Sequence, residues 1–443
     1  MPARKRDGDT GNGINRRQYL YGAGAAALTG LAGCSGDGSG GGSTATEASD
    51  DGGTATDSGS NSESGGPIPI GNLSPFSGGL GWIGPNSRRG VDTALNAPEG
   101  VNQAKVLGRT VEIHEQDTET KPQSAISGFK TLDSQGVFSM VGPSSSVMPS
   151  LVGPAQDTGL AIVSPMTGTI QLDEVGGEYI WRTVPSDGVG ARAQARYAYN
   201  EMGHRKMALA FKNDKGSQSF SAASGDYFKN LGGEVLTEVP LDPAASSYRS
   251  EVKKLQDSGA EVVSMTAATE VSGLFIKNYV EAGAEDDFDL LLGNDVLTEG
   301  FIEEMGADVM EGMVGQAPAP GPAHDVFLEK HKELHGKAPG AFAASAYDSM
   351  VLQALAYQKE GEVTRDAIPN HLYDLGNGPG KKVSTFAAGK KAIENGEEIN
   401  YVGAGNPQNF DKTGDPLGPF AALQATDGKW KEVKVYSAED LSK

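Results

Sequence analysis

The sequence predicts an α/β protein built as two doubly wound, parallel-sheet lobes. Three observations predict it. From Pro67 onward, short apolar runs alternate with amphipathic stretches, the βαβα rhythm of parallel sheets with helices on both faces. Several amphipathic stretches close at a glycine, the residue that most easily ends a helix in the left-handed conformation. The 377 residues from Pro67 to Lys443 carry more strands than suit a single sheet, and two lobes accommodate them better.

Taken in order, the strand candidates are the apolar runs 68–73, 110–114, 137–141, 160–163 and 179–184, then 206–211, 234–239, 261–265, 288–292 and 312–316. Helical periodicity fills the gaps. It runs over 86–96 and 122–134 in the first half, then over 188–202, 217–231, 248–258 and 271–282, and these last four are followed by Gly203, Gly232, Gly259 and Gly283. In open sheets of this kind, ligands sit beyond the carboxyl ends of the strands.

The N-terminal residues read as an address rather than as part of the fold. Arg4, Lys5 and Arg6 precede Arg16-Arg17-Gln18-Tyr19-Leu20, a short weakly apolar stretch, and Cys34. About 14 helical residues at ~1.5 Å each span only ~20 Å, too short for a hydrocarbon core of ~30 Å. Residues 1–33 therefore read as an export signal, and the paired arginines resemble a twin-arginine signal. Leu31-Ala32-Gly33-Cys34 resembles a lipobox, which implies lipidation of Cys34, the only cysteine in the chain. Residues 35–66 hold 10 Gly, 8 Ser, 4 Thr and 6 acidic residues, and with no aliphatic larger than alanine they cannot bury enough surface to order themselves. With Cys34 they are expected to act as a tether between a membrane surface and the folded part.

Charge and composition exclude several classes. The chain carries −21 overall, and residues 67–443 carry 32 basic against 50 acidic residues. That balance opposes non-specific nucleic-acid binding, which needs a basic patch to neutralise phosphate. It is the kind of self-repelling surface that suits high salt, where repulsion is screened, and points to a halophilic setting. One cysteine excludes a disulfide framework and any Cys-rich zinc site.

No catalytic or cofactor motif fits. Gly380-Lys381 lacks the remaining residues of a phosphate-binding loop, no GxSxG elbow occurs, and Ser144-Ser145-Ser146 has no base at a telling spacing. His331 and His335 stand at i, i+4, but HKELH is not a zinc-protease motif and its charged neighbours read as a solvated face. The run 409–415 has the look of a calcium loop without its bidentate glutamate, so it reads as a turn. No metal, no cofactor and no enzymatic activity is expected.

A set of segments carries a family resemblance: IGNLSPFSGG (70–79) with Gly84 and Gly90, EQDTETKPQSAI (115–126), VGPSSS (141–146), GLAIVSP (159–165), WRTVPSD (181–187), GNDVLTEG (293–300), SAYDSMVLQALA (345–356) and FDKTGD (410–415). In this order and spacing the chain resembles the leucine/isoleucine/valine-binding family of ABC-transporter substrate-binding proteins, with the type I periplasmic-binding-protein fold. The resemblance implies two lobes joined by three crossings, near 185–188, 315–318 and 403–409, with the ligand cleft between them. One lobe would comprise 67–186 and 317–404, the other 187–316 and 405–443. It implies a monomeric receptor for branched-chain or related amino acids, anchored outside the cell membrane, whose lobes close on the ligand and dock on a membrane permease. The same fold also serves amide or urea receptors and sensors feeding chemotaxis; a secreted enzyme is the remaining alternative.

The candidate site residues follow from the matched positions. Ser145 follows a strand and reads as opening a helix, so that its hydroxyl and the first helical N–H groups would face a ligand carboxylate; otherwise it merely caps that helix. Asp295 stands beyond the strand run DLLLGN, where the family places an acid for the ligand's α-ammonium; otherwise it is one surface carboxylate among many. Phe342 matches an aromatic that lines the side-chain pocket, or else packs in the core. Trp82 and Ile83 straddle another, and either would cover the ligand. Met166 matches a backbone contact. Gly168 stands where a hydroxyl is expected, leaving Thr167 or Thr169 to supply one. Lys215 replaces an aromatic residue before Gly216, as a ligand contact or a solvated lysine, and Ala268 and Thr269 occupy the place of a tyrosine. These departures admit a polar or acidic side chain, an amide or another small metabolite.

Overall fold

The computed structural model describes residues 65–441, and no helix among them is long and apolar enough to cross a membrane. The expected export signal, nearly all of the tether, and Cys34 lie outside the described residues.

Each of the ten expected strands forms. The first sheet holds β1 (Ile68–Ser74), β2 (Val111–Asp117), β3 (Ser139–Val141), β4 (Ala161–Ser164) and β5 (Ile180–Arg182), all parallel, in the order β2-β1-β3-β4-β5. The second holds β6 (Lys206–Lys212), β7 (Glu234–Leu241), β8 (Val262–Thr266), β9 (Asp289–Leu292) and β10 (Val314–Pro318) in parallel register. Two unexpected strands extend this sheet in antiparallel pairing, after the short parallel pair β11 (Lys381–Val383) and β12 (Ile399–Tyr401): β13 (Phe420–Thr426) and β14 (Lys429–Tyr436). The second sheet runs β14-β13-β10-β9-β8-β6-β7. The central strands β1, β3, β4 and β8 are almost wholly buried, as continuous apolar runs in a doubly covered sheet must be. β14 (KWKEVKVY) is a mostly exposed edge whose lysines oppose further strand addition.

The helix Ala343–Glu360 returns to the first lobe and is buried over most of its length against the helix Ile83–Asn96 and the strands β3 and β4. Most of its polar side chains are therefore engaged. Ser349 donates to Val163 O at 2.7 Å, Tyr357 Oη to Ser139 Oγ at 2.7 Å, and Asp348 accepts from Tyr401 Oη at 2.7 Å and from the N–H groups of Ala404 and Gly405 at 2.7 and 2.8 Å. A buried carboxylate without such donors would cost several kcal/mol; here it fastens the start of a chain crossing to the first lobe.

The chain passes between the two sheets three times, and the passages lie side by side. Asn406 Nδ2 donates to Thr183 O at 2.7 Å, Ala319 N to Pro419 O at 2.9 Å, and Gly321 N to Ala404 O at 3.1 Å. Above them, Arg182 at the end of β5 is 0% exposed. It donates from Nε and Nη2 to Asp415, from Nη2 to Asp173 at 2.9 Å and from Nη1 to Thr169 O at 2.9 Å. The run 409–415 is the expected turn: Asp411 Oδ1 accepts from Thr413 N at 2.8 Å and Asp415 N at 3.1 Å, which aims Asp415 at Arg182.

His331 departs from the expected solvated face. It is 0% exposed, its Nδ1 lies 3.0 Å from Thr93 Oγ1, its ring lies 4.5 Å from that of His335, and Nε2 has no hydrogen-bond partner. The face that carries Phe327 is the face that packs, and His331 shares it at i+4. Burial, then the neighbouring His335, depresses its pKa to about 4.

Two predictions follow from this packing. Asp415→Ala removes the principal partner of a buried guanidinium and is expected to lower stability by about 3–5 kcal/mol, whereas the double change Arg182→Met with Asp415→Leu costs less; urea unfolding in high salt measures both. For His331 the unfolded imidazole takes a proton near pH 6.5 and the folded one only near pH 4, so its contribution is present above pH 6.5 and lost as pH falls through that window. His331→Phe should have a flatter dependence of stability on pH than the parent between pH 6.5 and 4, and an unchanged pH dependence would contradict the assignment.

Candidate functional site

The carboxyl ends of β3, β4, β6, β8 and β9 face one another across a cavity of about 220 Å³. This is the strand-end position the fold predicts, and the volume suits a small metabolite rather than a drug-sized molecule. Residues of both sheets line it. From the first lobe come Leu80, Trp82, Ile83, Ser144, Ser145, Met166, Gly168 and Phe342; from the second, Lys212, Asp214, Phe220, Thr266, Ala268 and Asp295; from the crossings, Pro185, Ser186, Asp187, Gln316 and Pro318.

The Ser145 loop is set by a sharp backbone turn. Gly142 has φ 99°, and a Cβ there would stand 2.1 Å from Leu73 O, so only glycine lets the chain leave β3 this way. Ser144 then bridges in parallel to Met166, which brings the loops after β3 and β4 together. Ser145 does not open a helix: it lies in the turn between β3 and the short 3₁₀ segment Met148–Ser150, and the α-helix begins only at Val152. The expected helical N–H cradle is therefore absent at Ser145, whose hydroxyl instead accepts from Gly168 N at 3.1 Å at the cavity wall.

Phe342 stands at φ 65°, ψ 0°, immediately before the helix Ala343–Glu360. An aromatic residue in the left-handed region holds strain of about 1–3 kcal/mol, and it does so here where its ring lines the cavity. Trp82 is 42% exposed beside the buried Ile83, forming an apolar rim.

Asp295 lies in the 3₁₀ turn Asn294–Val296 after β9. The packing around it pushes its carboxyl up, with Lys212 pulling down and Asp214 pushing up, although the residue itself is exposed. Lys212 and Asp214 form an ion pair at 3.2 Å.

Four residues expected at the site fall outside the cavity. Thr167 is fully buried and its hydroxyl donates to Pro143 O at 2.6 Å, with Thr169 turned to Gln171 N at 3.4 Å, so neither supplies the missing hydroxyl. Lys215 is exposed at the first turn of the helix Lys215–Asn230; the lysine on the cavity is Lys212, at the end of β6. Thr269 begins the helix Thr269–Glu281, and its neighbour Ala268 takes the wall position.

Asp187 and Gln316 were missed. Asp187 begins the helix Asp187–Arg196, whose Ser186 cap accepts from Gly188 N at 3.0 Å and donates to Asp173 at 2.7 Å. Its N–H donates to Gly168 O at 2.7 Å, and a Cβ at Gly168 would stand 2.2 Å from Asp187 Oδ1. The carboxylate thus occupies the space a side chain at 168 would fill. The signal was its place just beyond β5, at a crossing. Gln316, at 3% exposure on β10, keeps its amide oxygen without a partner beside the cavity.

The periplasmic binding protein family model matches residues 67–428. Among curated proteins the chain is similar to Leu/Ile/Val-binding protein homolog 3 of Brucella melitensis, 25% identical over 374 residues, which are 82% of this chain and 92% of that protein. It is equally similar to the chemotactic signal transduction system substrate-binding protein BasB of Halobacterium salinarum, at 25% over 377 residues, 82% of this chain and 87% of that one. Among solved structures it superposes on a leucine-binding protein LivK of Thermotoga maritima with a TM-score of 0.69 at 20% identity, covering 84% of this chain and 99% of that one. A benzoate-bound solute binding protein of R. palustris gives 0.67 at 17%, covering 84% and 96%. The chain belongs to the periplasmic binding protein family, among the substrate-binding proteins related to the leucine/isoleucine/valine binders.

Proposed function

We propose that the chain is the lipid-anchored, extracytoplasmic receptor of an ABC importer, capturing a small amine-bearing solute of the amino-acid class between its lobes. The observation that carries this reading is Asp295. It is a carboxylate on the second-lobe wall of a cavity whose opposite wall offers Ser145 and the apolar surfaces of Leu80, Trp82, Ile83 and Phe342. An ammonium group suits the first, and an aliphatic stem suits the second.

Binding of this kind works by population shift. A ligand that touches both walls favours the arrangement in which they approach, and the closed pair of lobes is what a membrane permease would read. The adjacent crossings, joined by backbone and side-chain bonds, leave the lobes free to turn about one line. Export by the twin-arginine route, lipidation at Cys34 and a monomeric, high-salt existence complete the proposal.

A second reading, ligand sensing for chemotaxis, is favoured by one observation: the Halobacterium salinarum relative, as similar in sequence as the Brucella one, is named for that role. The ligand-binding chemistry is common to both, and only the partner differs.

The test is a ligand panel read first by thermal shift and then by calorimetry in high salt. A ligand at 100 times its Kd should stabilise the chain by about 2.7 kcal/mol. Asp295→Ala should then weaken the best amine ligand by about 2–5 kcal/mol, ~30-fold to several-thousand-fold. Unchanged affinity would remove Asp295 from the site.

A further inference from the structure

We propose that the cleft selects a solute with more positive than negative groups, and that Asp187 is the residue that sets this preference. The inference rests on reading the cleft as a ligand site, and it names the class of ligand.

The first argument is space. Gly168 has no side chain, and the Asp187 carboxylate fills the volume in front of it, held in place by the Asp187 N–H bond to Gly168 O at 2.7 Å. The wall that a hydroxyl would make neutral and donating is here acidic and accepting.

The second argument is that no cation pairs with it directly. Arg182 is the cation closest in effect, but its guanidinium is committed to Asp415, Asp173 and Thr169 O. Lys212, the lysine on the cavity, is paired with Asp214. Among the described residues, the side chains of Asp187 and Asp295 accept no hydrogen bond. The cavity lining therefore carries three carboxylates, Asp187, Asp214 and Asp295, against one ammonium.

The donors a ligand brings follow from this lining. An ammonium carries three donors and no acceptor, and so suits the two carboxylates that accept no hydrogen bond from the described residues. A ligand carboxylate would add a fourth negative group to this wall.

The groups facing Asp187 are Arg182, Asp173 and Asp295. Burial, offset by Arg182 and reinforced by Asp295 and Asp173, pushes its carboxyl up to about 7. The ligand-free cleft therefore holds a proton on Asp187 for much of the time at neutral pH, and an entering cation displaces it. Cation binding near pH 7 must then release protons, whereas a ligand carboxylate accepting from Asp187 would take them up.

Calorimetry of the full chain at pH 7 in high salt, in two buffers of different ionisation enthalpy, tests this. The probes are lysine, ornithine, cadaverine, leucine and glutamate. Expected are a cationic probe bound at least about tenfold more tightly than leucine, net proton release with that probe, and a loss of about tenfold to a hundredfold for it in Asp187→Asn. Leucine should change by less than about threefold in that variant. Gly168→Ser, which pushes the carboxylate aside, should reduce the same preference and stands in if Asp187→Asn folds poorly. Leucine binding as tightly as every cationic probe, or a charge preference unaltered in both variants, would overturn the inference and leave the receptor reading intact. A folded chain that binds none of the probes would overturn both.

Discussion

The buried guanidinium of Arg182 is the constraint on which the cleft depends. It ends β5 at the first passage between the lobes and binds two segments: the turn flanked by Thr169 and Asp173, and the sequence-remote loop carrying Asp415. A buried charge with fewer partners would be destabilising, so the segments are fixed as a set. Asp173 also accepts from Ser186, the cap of the helix that starts at Asp187. The hub thus sets where Asp187 enters the cleft, and it consumes the positive charge that would otherwise have paired with it.

Around that hub the cleft divides its work. The first lobe supplies apolar cover and one strained aromatic, Phe342, whose left-handed backbone persists because the helix behind it is buried nearly all round. The second lobe supplies the ion pair Lys212–Asp214 and the unpaired Asp295. The charge of Asp295 helps push the Asp187 carboxyl up. In the proposed receptor, a positive group standing between the two would favour bringing the walls together.

Much of the fold was legible in the sequence because buried parallel strands leave continuous apolar runs: all ten such runs became strands. Three of the four unexpected strands lack that signature, the exception being β13 (FAALQAT), whose apolar run is mostly buried. β14 alternates Lys and Glu with Trp and Val on an exposed edge, and β11 and β12 are only three residues long. The site was legible in part. Asp295, Phe342, Met166, Gly168, Ser145, Trp82 and Ile83 line one cavity. Ser145 was misread because the bend at Gly142 delays the helix, which spacing alone does not show. Lys215, matched to a family aromatic before Gly216, opens the exposed first turn of the helix after β6, and Lys212 at the end of β6 lines the cavity instead. His331 was placed on the surface from its charged neighbours, while Phe327, four residues earlier, marked the packed face. Asp187 lay within a quoted motif, yet its role arises only from the missing side chain at Gly168, a complementarity between residues 19 apart that no local pattern encodes.

The central claim is that the lobes close on a ligand that bridges their walls. Small-angle X-ray scattering of the full chain in high salt, with and without the probe that most raises its melting temperature, tests it most directly. The account predicts a smaller radius of gyration with the ligand bound, and no such compaction when Asp295 is replaced by alanine at the same probe concentration. Tight binding with an unchanged scattering profile would contradict it, and would mean a fixed pocket in which the two lobes act as one rigid body.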